Sequence, residues 1–108
     1  MRHLIILSNG WPAGLLTERF PGKSYVFEYD KGYLYSGMNP VSVTLPLREN
    51  PYESEKLFPF FANMIPEGAN RKMICRARRI DENDLFGILE AMADSDTIGS
   101  VSVRRVEE

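Results

Sequence analysis

The chain has 108 residues and a formal net charge of −2, with 44% hydrophobic and 26% charged residues. That length allows one small domain and excludes a complete kinase, a dinucleotide-binding dehydrogenase or an α/β hydrolase; the composition excludes a disordered, collagen-like or linker chain. Lys plus Arg is 13 against 15 for Asp plus Glu, so the global basic field of a typical nucleic-acid binder is missing and only local patches remain to be weighed.

Residues 4–7 are aliphatic and end at Ser8-Asn9-Gly10, and Asn-Gly is a strong hairpin signal because both residues tolerate positive φ. The return strand is predicted from about Trp11 to Thr17, with Pro12 confining its start to an edge position. Phe20-Pro21-Gly22-Lys23 is a second turn, after which Tyr25, Phe27 and Tyr29 alternate with Ser24, Val26 and Glu28 on opposite faces of a strand. Asp30-Lys31-Gly32 breaks it, and Tyr33-Leu34-Tyr35 fits a helical turn or a strand. Val41-Ser42-Val43-Thr44-Leu45 again has period two and predicts a strand. The first half, about residues 4–47, thus reads as a small antiparallel meander whose aromatic face needs a cover.

The second half supplies that cover as about three helices over residues 55–92. Leu57, Phe58, Phe61, Met64 and Ile65 recur at helical spacing from Glu55 to Ile65, with Pro59 delaying or kinking the first turn. Pro66-Glu67-Gly68 ends this helix. A second, from about Ala69 to Arg79, puts Met73, Ile74, Ala77 and Ile80 on one face. In the third, Asp81 is the predicted cap, and Leu85, Ile88, Leu89 and Met92 follow at i, i+3, i+4, i+7. Residues 98–103 alternate and read as a closing strand. The predicted fold is α+β, one domain over 1–108: a small antiparallel sheet, N-terminal meander plus C-terminal strand, covered by helices.

The single cysteine, Cys75, cannot form an internal disulfide. The run Leu4-Ile5-Ile6-Leu7 is shorter than the ~7–15 residues of a secretory h-region or the ~20 of a membrane span, so the reading is a soluble, cytoplasmic protein. No pattern of catalytic residues emerges. His3 has no nucleophile or orienting acid near it in any motif, and Cys75 reads as a structural helix residue. Asp94 and Asp96 form a D-x-D pair without the further acids of a calcium loop, which favours a turn over a metal site. The glycines sit at turns, with no phosphate-binding loop among them. No cofactor and no metal is therefore expected.

Three features rise above this background. Lys72, Arg76 and Arg79 share one predicted helix face, either as a phosphate-contacting stripe or as cations at a helix C-terminus pairing with Asp81, Glu82 and Asp84. Trp11 follows a hairpin tip, where it is an interface anchor or packs over the sheet edge. Phe58, Phe60, Phe61, Met64 and Ile65 make the first helix apolar around more than the ~100° stripe a surface helix needs. Phe60, Met64 and Ile65, with the turn residues Pro66 and Glu67 and with Trp11, are accordingly the candidate partner-binding residues.

The order of motifs resembles one family, the N-terminal subdomain of the HipA-type serine/threonine kinases of bacterial toxin–antitoxin systems. The resemblance is carried by Asn9-Gly10 with Gly14-Leu15-Leu16, by Tyr25-Val26-Phe27-Glu28-Tyr29, and by Pro40-Val41-Ser42-Val43-Thr44-Leu45-Pro46-Leu47-Arg48. It continues through Pro59-Phe60-Phe61-Ala62-Asn63-Met64-Ile65-Pro66-Glu67-Gly68, Asp84-Leu85-Phe86-Gly87-Ile88-Leu89 and Ile98-Gly99-Ser100-Val101. In that family the kinase core, with the ATP site, follows this module, and here the chain stops where the core would begin. The resemblance is therefore to the stand-alone form, HipS of three-gene HipBST systems. It implies an antitoxin, not an enzyme, that binds and neutralises a HipT-like kinase toxin, with a HipB-like DNA-binding protein as a further partner. Two other readings stand beside it: a non-catalytic fragment of a full-length HipA-like kinase, and a nucleic-acid-binding accessory protein. The Met1 start and the acidic stop at Glu107-Glu108 favour a complete small protein over the fragment.

Overall fold

The computed structural model describes residues 1–93 and 100–106. The D-x-D pair Asp94/Asp96, the Ile98-Gly99 start of the predicted closing strand and the Glu107-Glu108 stop lie outside the described residues. Five strands among the described residues form one antiparallel sheet: β1 (Arg2–Ser8), β2 (Trp11–Phe20), β3 (Lys23–Tyr29), β4 (Tyr52–Ser54) and β5 (Val101–Arg105), in the order β4-β3-β2-β1-β5. Among the described residues four helices accompany it: α1 (Lys31–Leu34), α2 (Pro59–Ala62), α3 (Gly68–Arg78) and α4 (Leu85–Met92). The α+β fold class expected from the sequence is the one observed.

The first hairpin closes through Asn9 (φ 50) and Gly10 (φ 85), both left-handed, between the paired residues Ser8 and Trp11. Positive φ at both central residues is the geometry whose twist matches two antiparallel strands. The return strand runs on to Phe20, and Pro12 is not on an edge strand, because β2 lies at the centre of the sheet. Pro12 is tolerated there because β3 ends at Tyr29, opposite Gly14, so no neighbour on that side needs its missing N–H. A bulge accompanies it: Ile6 pairs with Gly14 and Leu7 with Pro12, leaving Ala13 as the extra residue.

The alternation in β3 turns Tyr25, Phe27 and Tyr29 to the covered face beside Leu4, Ile6 and Leu16. Phe27 lies 5.3 Å from Phe61 of α2 and 4.9 Å from Tyr29 by ring centroid, and Tyr25 stacks on Phe86 of α4 at 6.4 Å. Full burial of each such side chain contributes roughly 1.5–3 kcal/mol. β5 closes the sheet on the outer side of β1, pairing Ile6 with Val103.

Four local expectations need correction. Residues 41–45 are not a strand: Leu45 N–H donates to the Ser42 carbonyl (3.0 Å), and Thr44 N–H (3.2 Å) with the Thr44 hydroxyl (2.8 Å) engages Ser42 Oγ. Hydroxyls at Ser42 and Thr44 offer the backbone a turn in place of a ladder, and Val43 is 92% exposed as a result. The helix predicted from Glu55 shrinks to one turn with Pro59 at its start. Asp84, not Asp81, caps α4, accepting from Gly87 N–H at 3.1 Å, while Asp81 accepts from Asn83 N–H at 2.8 Å. On α3 it is Cys75 that enters the core, whereas Met73 is 68% exposed and Ala77 is also exposed. The three-residue edge strand β4 has no counterpart in the sequence reading.

Candidate interaction surface

The polar groups buried most deeply are structural. Glu18, 2% exposed, accepts from Arg2 Nε (2.7 Å), the Tyr25 hydroxyl (3.1 Å) and the Gly22 amide (3.1 Å). Arg2 reaches across the core edge to Asp84 (2.7 Å) and Glu90 (3.3 Å), with its guanidinium 5.1 Å from the centre of the Phe86 ring. The hydrogen bond from Arg2 holds the Asp84 carboxyl below the usual carboxylate range against its partial burial. Desolvation, with the negative charge of Glu18, pushes the Tyr25 hydroxyl up to about 12. This network ties β1, β2 and β3 to the cap of α4.

The other titratable candidates are likewise placed for structure. His3 is exposed, its Nδ1 2.8 Å from Thr17 Oγ1 across the β1–β2 pair. Cys75 is buried, and desolvation raises its thiol above the ordinary value, the opposite of an activated nucleophile. Among the described residues no group of three His, Cys, Asp or Glu side chains is placed to hold a metal ion. No helix among them is long and apolar enough to cross a membrane.

The predicted cationic stripe is not gathered as a stripe. Lys72 and Arg76 line a broad depression of about 600 Å³ together with Asp81 and Glu82, so acids share the rim. Arg79 leaves the helical path altogether as the C-cap of α3, with φ 56, while the Ile80 amide donates to the Cys75 carbonyl at 2.9 Å. Arg71 turns back to the Pro66 carbonyl at 2.9 Å and so stitches α3 to the segment before it.

The expected partner-binding residues split into three groups. Ile65 is 4% exposed and belongs to the core cluster with Phe58 and Phe61; its burial corrects the expectation that it is a partner-binding residue, because α2 is one turn long and the chain curls inward after it. Phe60 and Met64 are half-buried against that core, Phe60 meeting Phe61 edge-on at 5.2 Å, and Pro66 and Glu67 reach the surface. Trp11 is 61% exposed, beside the first hairpin tip, away from α2.

Trp11 opens onto a groove that the sequence reading missed. On one side Trp11 and Pro12 face Tyr33 and Met38 of the α1 region, with Asp30 on the rim, around about 300 Å³. Pro12 and Asp30 also line the adjoining depression of about 260 Å³ on the uncovered face of the sheet, where Ile5, Leu15 and Glu28 continue it. Toward the hairpin tip, Trp11, Tyr33 and Met38 extend it to Asn9 and Asn39. The wall is fixed from behind: Asp30 caps α1 by accepting from Tyr33 N–H at 3.2 Å, and the Tyr33 hydroxyl donates to the Asn39 carbonyl at 2.5 Å. The Tyr29 hydroxyl donates to Leu45 and accepts from Val41 N–H (3.1 Å), pinning the 41–45 loop beneath.

A sequence model of the family described as HipA N-terminal domain matches residues 4–104. An uncharacterized protein of Haemophilus influenzae (strain ATCC 51907 / DSM 11121 / KW20 / Rd) is 32% identical over 95 residues, which cover 88% of this chain and 84% of that protein. A solved structure of the N-terminal domain of HipA toxin is similar with a TM-score of 0.73 and 30% identity, covering 100% of this chain and 95% of that one.

Proposed function

The chain belongs to the HipA N-terminal domain family, and on that premise we propose that it is a non-catalytic, antitoxin-type subunit that binds and neutralises a HipA/HipT-like serine/threonine kinase toxin. The observation that carries this reading is the likeness, over the whole chain, to the N-terminal domain of a toxin. A lobe of that kind has a neighbour to dock on, and an intrachain interface of the class buries roughly 600–1,500 Å². The relative from Haemophilus influenzae supports a separate existence, since the match takes up 84% of it and leaves no room there for a kinase core.

Docking uses the residues of the candidate surface that reach solvent: Phe60, Met64, Pro66 and Glu67 at the α2–α3 link, and Trp11 beside the hairpin tip. A HipB-like DNA-binding protein joins as a third component, and the complex is cytoplasmic. Co-expression with a HipA-like kinase lacking its own N-terminal domain tests the reading. Co-purification of the two chains together with restored growth is the expected result; a kinase that stays toxic and elutes alone overturns it.

A further inference from the structure

We propose that the groove around Trp11 is a peptide-docking track, and that its occupant is an extended segment of the partner protein carrying Arg or Lys next to proline and aliphatic residues. The partner's identity rests on the docking reading above; the chemistry of its segment rests on the groove alone. The depressions share Trp11, Pro12, Asp30, Tyr33 and Met38, so they form one continuous path from the open sheet face past the hairpin tip. Its walls are aromatic and proline surfaces held rigid by backbone hydrogen bonds, the kind of track on which extended or polyproline-like chains lie at low entropic cost. The charged residues lining it, among those described, are Glu28 and Asp30, both exposed and both acidic; Lys31, adjacent in sequence, is not a lining residue.

Charge complementarity therefore selects a cationic occupant. The exposed indole shares its depression with Asp30, so a guanidinium can lie on the ring face while it pairs with that acid, and Glu28 offers a second acid farther along the track. Asp30 uses one acceptor position on Tyr33 N–H, which leaves a carboxylate with further lone pairs for a ligand. Leu15 and Ile5, paired across β1 and β2, supply the apolar floor for the aliphatic part of the segment.

Trp11 is the only tryptophan of the chain, so its fluorescence reports the groove directly. The probe is a fluorescein-labelled ten-residue peptide alternating Arg-Pro-Leu-Pro, compared with the same peptide carrying Glu for Arg. The expected result is binding of the Arg peptide with a change in Trp11 emission, at least about tenfold tighter than the Glu peptide, and a loss of about tenfold or more in both Trp11→Ala and Glu28→Lys. Circular dichroism melting establishes that the two variants are folded. Equal binding of the two peptides, or wild-type affinity in Glu28→Lys, overturns the proposal, as does a concentration-dependent dimer that buries Trp11 against a second copy of this chain. The same variants are then assayed against the kinase. Wild-type kinase binding that is indifferent to Trp11→Ala and Glu28→Lys sinks the groove and spares the docking reading. Peptide discrimination without any kinase binding does the reverse.

Discussion

Arg2 shows how one side chain decides the fate of several others. Its guanidinium, one-third exposed, meets Glu18, Asp84 and Glu90, and Glu18 itself is shut away from water. Arg2→Met leaves that carboxylate without its cation; breaking a fully buried pair costs about 3–5 kcal/mol, and partial exposure of Arg2 reduces this to about 2 kcal/mol, readable by urea unfolding at pH 7. The same contact sets an acid limb. Asp84 is held below its ordinary value by Arg2, so as pH falls past about 3.9 the unfolded chain takes up the proton first. The stability from this pair is fully present above that pH and is lost as pH falls through the lower folded value. Urea midpoints measured between pH 5 and 3 will drop steeply in the wild type and less steeply in Arg2→Met. Gly14 is constrained differently: a Cβ there would stand 2.5 Å from the Glu28 carbonyl oxygen and 2.9 Å from the Phe27 ring. Neither neighbour yields easily, so Gly14→Ala will lose about 1–3 kcal/mol in the same assay.

Whole elements were legible where one periodicity governed them and misleading where short-range chemistry intervened. The Asn9-Gly10 hairpin and the alternation of β3 follow from positive φ and period two, and both stand in the structure. The segment 41–45 has the same period, yet Ser42 and Thr44 bond locally and the loop is held from below by Tyr29. Strand and loop make different demands on this segment. Val43→Lys will stay within about 0.5 kcal/mol of the wild type because the residue is almost wholly exposed, whereas Leu45→Ala, removing a buried anchor, will cost about 2–5 kcal/mol. If Val43→Lys proved as damaging as Leu45→Ala, the loop assignment would fall. The Glu55–Ile65 stretch misled for another reason: apolar residues there follow helical spacing, but Pro59 starts a single turn and Ile65 enters the core after it. Ile65→Asp will consequently unfold the domain, losing more than about 2 kcal/mol, instead of reporting on a surface.

At the level of the molecule, the site was less legible than the fold because it is assembled from distant segments. The sequence marks Trp11 at a hairpin tip, but the groove exists only when strand pairing brings residues 11–15 against 28–30 and α1 places Tyr33 and Met38 opposite. A pattern along the chain carries no trace of that juxtaposition. The uncovered sheet face has an energetic consequence as well. The helices cover one side of a five-stranded sheet, while Leu15 stays exposed on the other side and Trp11 is exposed beside the hairpin tip. A partner that binds this surface only in the folded state must raise the melting temperature by mass action. At a free partner concentration of 100 times Kd the stabilisation is ~2.7 kcal/mol, and at ~4–8 °C per kcal/mol for a domain of this size the melting transition should move up by roughly 10–20 °C. Differential scanning calorimetry of this chain with a HipA-like kinase lacking its N-terminal domain will show that shift, concentration-dependent and smaller in Glu28→Lys. An unmoved transition at saturating kinase would mean that the two chains do not bind, and a shift of equal size in Glu28→Lys would mean that the exposed apolar face is not where they meet.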